Sequence, residues 1–159
     1  MNQQLKAKAM TNQNNATGRT LTIEKTFAVA RVKVWEAWTR PENIAKWWGP
    51  KGMDVDIVEH DFKVGGKWKY TMQMPNGNEF ASEGTFLEII EGEKIVTSAD
   101  FKPMTEGVEL HVLFAGDDQQ TQFTFKVVHP TEDYRKQQEE MGIYNGWGSA
   151  FKRLEEFLG

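Results

Sequence analysis

The sequence predicts an α+β domain: a seven-stranded antiparallel sheet, two short helices near its start, and a long C-terminal helix able to lie across it. Three observations carry this. Apolar residues alternate with polar ones in seven separate segments, the mark of half-buried strands. Short turns rich in Gly, Asn and Asp join six of those segments in succession, which selects antiparallel pairing. After Thr131 the period changes, and Tyr144, Trp147, Phe151, Leu154 and Leu158 step by three and four along one helical face.

Residues 1–18 are Asn/Gln-rich and hold no aromatic residue, so they read as a disordered polar tail. Met10 is an alternative start within it. One domain is expected over 19–159. Thr20–Phe27 alternates as a first strand, and Val34, Trp35, Ala37 and Trp38 then fall at helical spacing. Thr39 and Glu42 have capping-box spacing, and Pro41 suits a first turn, so a second short helix starts there. It ends before Trp47-Trp48-Gly49-Pro50-Lys51-Gly52, a loop by composition.

Val55 and Ile57 mark the second strand. Trp68, Tyr70 and Met72 mark the third, after Gly65-Gly66. Pro75-Asn76-Gly77 is a hairpin turn into a long strand from Glu79 to Ile90, with Gly84 as a bulge or bend. Glu91-Gly92-Glu93 leads to Lys94–Phe101. Val108 to Phe114 form the sixth strand, Gly116-Asp117-Asp118 turns, and Phe123, Phe125 and Val127 form the seventh. From Thr131 to Leu158 a continuous helix would be roughly 40 Å long. Gly142, Gly146 and Gly148 interrupt it. They permit close packing and a bend, or they leave room for something bound beneath.

Composition excludes several functions. The 159 residues hold 19 Lys plus Arg and 23 Asp plus Glu, a net charge of −4, a balance that argues against a nucleic-acid binder, which usually carries a concentrated basic face. With no Cys, disulfides, thiolate zinc sites and a Cys nucleophile are ruled out. No long apolar run or signal peptide is present, so no membrane insertion and a cytoplasmic location are expected. His60, His111 and His129 lie on different strands or strand ends, read as surface positions rather than a metal triad. Asp54, Asp56, Glu59 and Asp61 lack the spacing of a calcium loop and read as a solvated strand face. Ser82, Ser98 and Ser149 lack a nucleophile elbow. No catalytic motif, metal site or cofactor is expected.

The order of one strand, two short helices, six strands and a long helix is the helix-grip arrangement. Val34-Trp35-Glu36-Ala37-Trp38-Thr39-Arg40-Pro41-Glu42 resembles the first helical segment of the START-like (SRPBCC) superfamily. Within it, Lys46-Trp47-Trp48-Gly49-Pro50, Phe62-Lys63-Val64-Gly65-Gly66-Lys67-Trp68 and Gly146-Trp147 with Leu154 resemble the family named for the activator of the heat-shock protein 90 ATPase, C-terminal domain. The resemblance spans about residues 20 to 158. The chain departs from it at Ala28-Val29-Ala30, where relatives often carry Pro and a polar cap.

The resemblance implies a curved sheet gripping the long helix, with a cavity between them that takes a hydrophobic small molecule. It makes Trp38, Trp47, Trp48, Trp68, Tyr70, Tyr144 and Trp147 the cavity or mouth candidates. Trp35, Phe86, Phe123 and Phe125 read as core. A binding module is the leading function. The alternatives are an enzyme of the aromatase/cyclase or hydrolase type, with Tyr70, Glu83, Asp100, His111 and Tyr144 as its acids and bases, and a co-chaperone of heat-shock protein 90. The chain is expected as a monomer or homodimer.

Overall fold

The computed structural model describes residues 16–49, 54–102 and 105–159, with the side chains of 16, 17, 143 and 144 outside that description. Residues 1–15, which hold most of the expected tail and Met10, lie outside the described residues. So do Pro50, Lys51, Gly52 and Met53 of the loop. In chain order the elements are α1 (Ala16–Arg19), β1 (Thr20–Phe27), α2 (Arg31–Thr39), α3 (Pro41–Trp47), β2 (Val55–His60), β3 (Lys67–Gln73), β4 (Glu79–Ile90), β5 (Lys94–Lys102), β6 (Thr105–Gly116), β7 (Thr121–Val128), α4 (Glu132–Glu140) and α5 (Ile143–Leu158).

The strands form one antiparallel sheet in the order β1-β7-β6-β5-β4-β3-β2. Consecutive strands from β2 to β7 are neighbours, as short turns require, and β1 closes on β7 with Leu21 opposite Val127 and Ile23 opposite Phe125. One face carries Trp68, Tyr70, Phe86, Phe101, Leu110, Val112, Phe123 and Phe125, all buried. The period-two reading put these on one side, and α2, α3 and α5 cover them. The expected core rings Trp35, Phe86, Phe123 and Phe125 are all in it. Among the described residues, no helix is long and apolar enough to cross a membrane.

The long C-terminal helix packs across the sheet but is shorter than the periodicity suggested. Gly142 takes φ 85°, the left-handed region, and its N–H bonds to the Glu139 carbonyl. That ends α4 and makes Gly142 the N-cap of α5. The 16 residues of α5 span about 24 Å. Trp147, Ala150, Phe151 and Leu154 are its buried stripe.

Two helix starts also differ from the capping expected. Thr39 is the last residue of α2, and Arg40 is the N-cap of α3 because Pro41 occupies its first turn. The Ala28-Val29-Ala30 run leaves α2 without a side-chain cap, yet the Arg31 N–H finds the Asp117 carbonyl at 3.0 Å in the β6–β7 turn. An orphan donor of the helix end is thus met by a distant loop.

Gly84 is not at the bulge. The β4–β5 register shifts between Phe86 and Glu88 instead. At Gly84 a Cβ would overlap the Ser98 carbonyl oxygen and crowd Trp68 Nε1, so the residue marks a close approach beneath the Trp68 indole. Gly148, by contrast, sits in the exposed face of α5 with nothing within 4 Å of a built Cβ. Gly84→Ala is expected to lower stability by about 2–3 kcal/mol. Gly148→Ala should raise it by up to about 1 kcal/mol. Urea unfolding of the two variants checks the opposite signs.

Candidate functional site

Between the covered face of the sheet and the N-terminal half of α5 lies a cavity of about 240 Å³. Trp48 and Gly49 at the end of α3 form one side, Trp147 and Ala150 of α5 another, and Met72, Phe80 and Phe101 of β3, β4 and β5 the floor. Met74 and Met141 border it as well, and Met141 is 53% exposed, so the cavity reaches the surface there. Gly146 lies on the same wall, and a Cβ built on it meets nothing within 4 Å. Of the two readings of the helix glycines, room beneath the helix describes Gly146. Gly142 is the helix break.

The cavity walls are anchored by hydrogen bonds that their polar atoms spend on each other. Trp48 Nε1 donates to Ser82 Oγ at 3.3 Å, which fixes the indole against β4. Thr105 Oγ1 donates to Gln138 Oε1, tying the start of β6 to α4. Among the described lining residues no side chain is charged, and none is a carboxylate or an imidazole. Of the acids and bases weighed for catalysis, Glu83, Asp100 and His111 are absent from this lining. His111 lies partly exposed beside Glu109, with Nε2 and Oε1 2.7 Å apart. Among the described residues, no group of three His, Asp or Glu side chains could hold a metal ion.

The candidate aromatics separate into layers. Trp48 and Trp147 line the cavity, their ring centroids 5.6 Å apart and their planes at 86°. Trp68 and Tyr70 stand one layer behind, packed edge-on to Trp48 at 5.9 and 5.2 Å. Trp68 Nε1 donates to Thr97 Oγ1 at 2.7 Å. Trp38 and Trp47 are deeper still: Trp47 is 0% exposed, donates to the Ala37 carbonyl at 2.9 Å, and packs against Trp38 with centroids 4.7 Å apart and planes tilted by 58°. Tyr144 belongs to the first turn of α5, with its side chain outside the described residues.

Two histidines expected on the surface turn inward: His60 is half-buried and His129 is buried. The β2–β3 register shifts between Ile57 and Glu59, which turns His60 to the covered face opposite Trp68. There Nε2 faces the Thr39 carbonyl at 2.8 Å and Nδ1 faces the Tyr70 hydroxyl at 2.7 Å. A carbonyl can only accept, so Nε2 carries the proton and Nδ1 accepts from Tyr70. His129 is 1% exposed. It continues the buried series Phe123, Phe125, Val127 by two residues, a signal that the following Pro130 obscured. Its Nδ1 donates to the Arg19 carbonyl at 3.1 Å, and its Nε2 lone pair is buried without a partner.

Burial pulls the pKa of both imidazoles below the ordinary 6.5, against the Thr39 carbonyl, Asp61 and Glu42 at His60 and against the Arg19 carbonyl at His129. Burial likewise pushes the Tyr70 hydroxyl far up, so it stays a donor. The site's outermost aromatic layer is therefore backed by a neutral Tyr–His pair rather than by a charge.

The sequence profile of the family described as Activator of Hsp90 ATPase homolog 1-like protein matches residues 28–159. A crystal structure of a protein from Nitrosomonas europaea is 30% identical, with TM-score 0.76, and the match covers 89% of this chain and 95% of that one. A protein from Mycobacterium smegmatis is 24% identical, with TM-score 0.79, over 92% of this chain and 94% of that one. An AHSA1-like protein from Aeromonas hydrophila is 23% identical, with TM-score 0.69, over 87% and 91%. The last two show likeness of fold alone. A search of curated proteins finds no match.

The histidines give a pH dependence of known sign. Unfolded, each takes a proton near its ordinary pKa of 6.5; folded, each resists until lower pH. Below about pH 6.5 the unfolded state binds more protons, so stability falls with pH until the folded pKa is passed. The midpoint of thermal unfolding is expected to drop between pH 7.5 and 5.5. His60→Gln and His129→Gln should each flatten that drop, measured as the difference from the unmodified protein.

Proposed function

We propose that this chain, which belongs to the Activator of Hsp90 ATPase homolog 1-like family, is a binding protein for a small apolar molecule held between the sheet and α5. The observation that carries this reading is the cavity of about 240 Å³, open at Met141 and walled by Trp48, Trp147, Phe80, Phe101 and Met72. Water in such a space finds few hydrogen-bonding partners, whereas an apolar guest removes its own surface from solvent and gains dispersion contact. Three methionines on the wall add side chains that refit around guests of different outline.

Nothing among the described lining residues supports the alternative of aromatase/cyclase or hydrolase chemistry, which needs an acid or base within reach of the guest. His60 and Tyr70 are the nearest pair with shifted protonation, and they sit behind Trp48. Their hydrogen bonds run to each other and to Thr39, away from a guest.

Gly146 supplies the test, because it lies on the cavity wall and a Cβ built there meets nothing within 4 Å. Naphthalene and 1-decanol serve as apolar probes read by intrinsic Trp emission, alongside native mass spectrometry of protein purified without added ligand. At least one probe should saturate the emission change. Gly146→Leu should weaken that binding by about tenfold or more, a loss of roughly 1.4 kcal/mol, while leaving the circular dichroism unchanged. If neither probe alters the emission and no extra mass accompanies the protein, the reading fails.

A further inference from the structure

We infer that the molecule this cavity takes is an uncharged, planar aromatic compound of one to two fused rings, seated flat against Trp147. The inference rests on the binding reading above and narrows it to one chemical class.

Ring orientation carries it. Trp48 stands at 86° to Trp147 with centroids 5.6 Å apart, and Phe101 stands at 82° to Trp147 at 5.2 Å. All three line the cavity. Two walls are therefore perpendicular to the same third wall. A planar ring stacked parallel to Trp147 is perpendicular to both Trp48 and Phe101 without further adjustment. It gains one stacked and two edge-to-face contacts at once, the arrangements that aromatic quadrupoles favour. A saturated ring or a flexible chain of equal volume has no quadrupole to align and gains only its area.

Size and charge narrow the class from two other directions. An engineered apolar cavity of about 150 Å³ in an unrelated protein holds benzene. The space here, about 240 Å³, is about one and a half times larger, which suits a two-ring skeleton. A charged substituent inside would meet no counter-charge among the described lining residues, and burying an unpaired charge is costly. The indole N–H of Trp48 and the Thr105 hydroxyl proton are already donated to Ser82 and Gln138. The Ser82 hydroxyl, which accepts from Trp48, keeps its own proton as a neutral donor that suits a hydroxyl group and supplies no counter-charge to a carboxylate.

The test compares three probes on one carbon skeleton with the full chain by isothermal titration at pH 7.5. These are 2-naphthol, which is planar and neutral, decahydro-2-naphthol, which is saturated and neutral, and 2-naphthoate, which is planar and charged. We expect 2-naphthol to bind about tenfold or more tightly than either of the others. In carbon-13 methyl spectra of Met-labelled protein, the Met72, Met74 and Met141 resonances should show ring-current shifts on adding 2-naphthol. Tighter or equal binding of decahydro-2-naphthol would overturn the aromatic class while leaving an apolar cavity in place. Tighter or equal binding of 2-naphthoate would overturn the neutral class. Binding that leaves all three methyl groups unmoved would put the ligand elsewhere and overturn the inference. Failure of all three probes, with 1-decanol still bound, would sink the aromatic class alone; failure of every apolar probe would sink the binding reading itself.

Discussion

One guanidinium holds the working part of this domain together. Arg153, in the C-terminal half of α5, donates to the carbonyls of Lys46, Trp48 and Gly49 at 3.1, 3.2 and 2.8 Å. Those carbonyls end α3, where no further helical turn exists to satisfy them. The positive charge also lies where the helix dipole is negative. Trp48 is thereby held at its N–H by Ile44, at its carbonyl by Arg153 and at its indole by Ser82. The placement of Trp68, Tyr70 and Trp147 around it follows from that fixed ring. The distance between α3 and α5, and with it the opening over the sheet, depends on a contact between residues more than a hundred positions apart.

That separation explains what could be read from the chain and what could not. Strands were legible because alternation is local: Glu79–Ile90 and Thr20–Phe27 were bounded as observed. The side of the sheet to which each ring points was legible for the same reason. Depth was not. Trp38, Trp47 and Trp48 are within eleven residues of one another, yet Trp48 faces the cavity while the other two lie in the core. Periodicity assigns a direction and says nothing of how many layers cover it. His60 was misplaced because one extra residue in β2 inverts the alternation after Ile57, and no residue there advertises a bulge.

Glycine was the least legible residue. The sequence shows three of them in the last helical segment and one in the middle of the fourth strand, with nothing to rank them. In the fold their reasons diverge. Gly142 supplies a left-handed turn, Gly84 lets a backbone carbonyl and an indole come close, and Gly146 borders empty space. The first two are demanded by the fold. The third is a place where the helix could carry a larger, more helix-favouring residue with no clash, so the fold alone gives no reason for it. A residue that is unexplained by packing and lies on the cavity wall belongs with the cavity.

The acidic residues Asp54, Asp56, Glu59 and Asp61 form no metal-holding group among the described residues, and their position gives them a different consequence. β2 is the outermost strand of the sheet on that side, and these four carboxylates are exposed along or just beyond it. Its free edge offers unpaired peptide groups to any other extended chain. A second copy aligning there, edge to edge, would bring two such acidic rows together, and the irregularity at Val58 would put the two ladders out of step. The next two strands inward, β3 and β4, carry part of the cavity's floor. Repulsion between two such rows works against prolonging the sheet at β2, the rim beside which the cavity's floor begins.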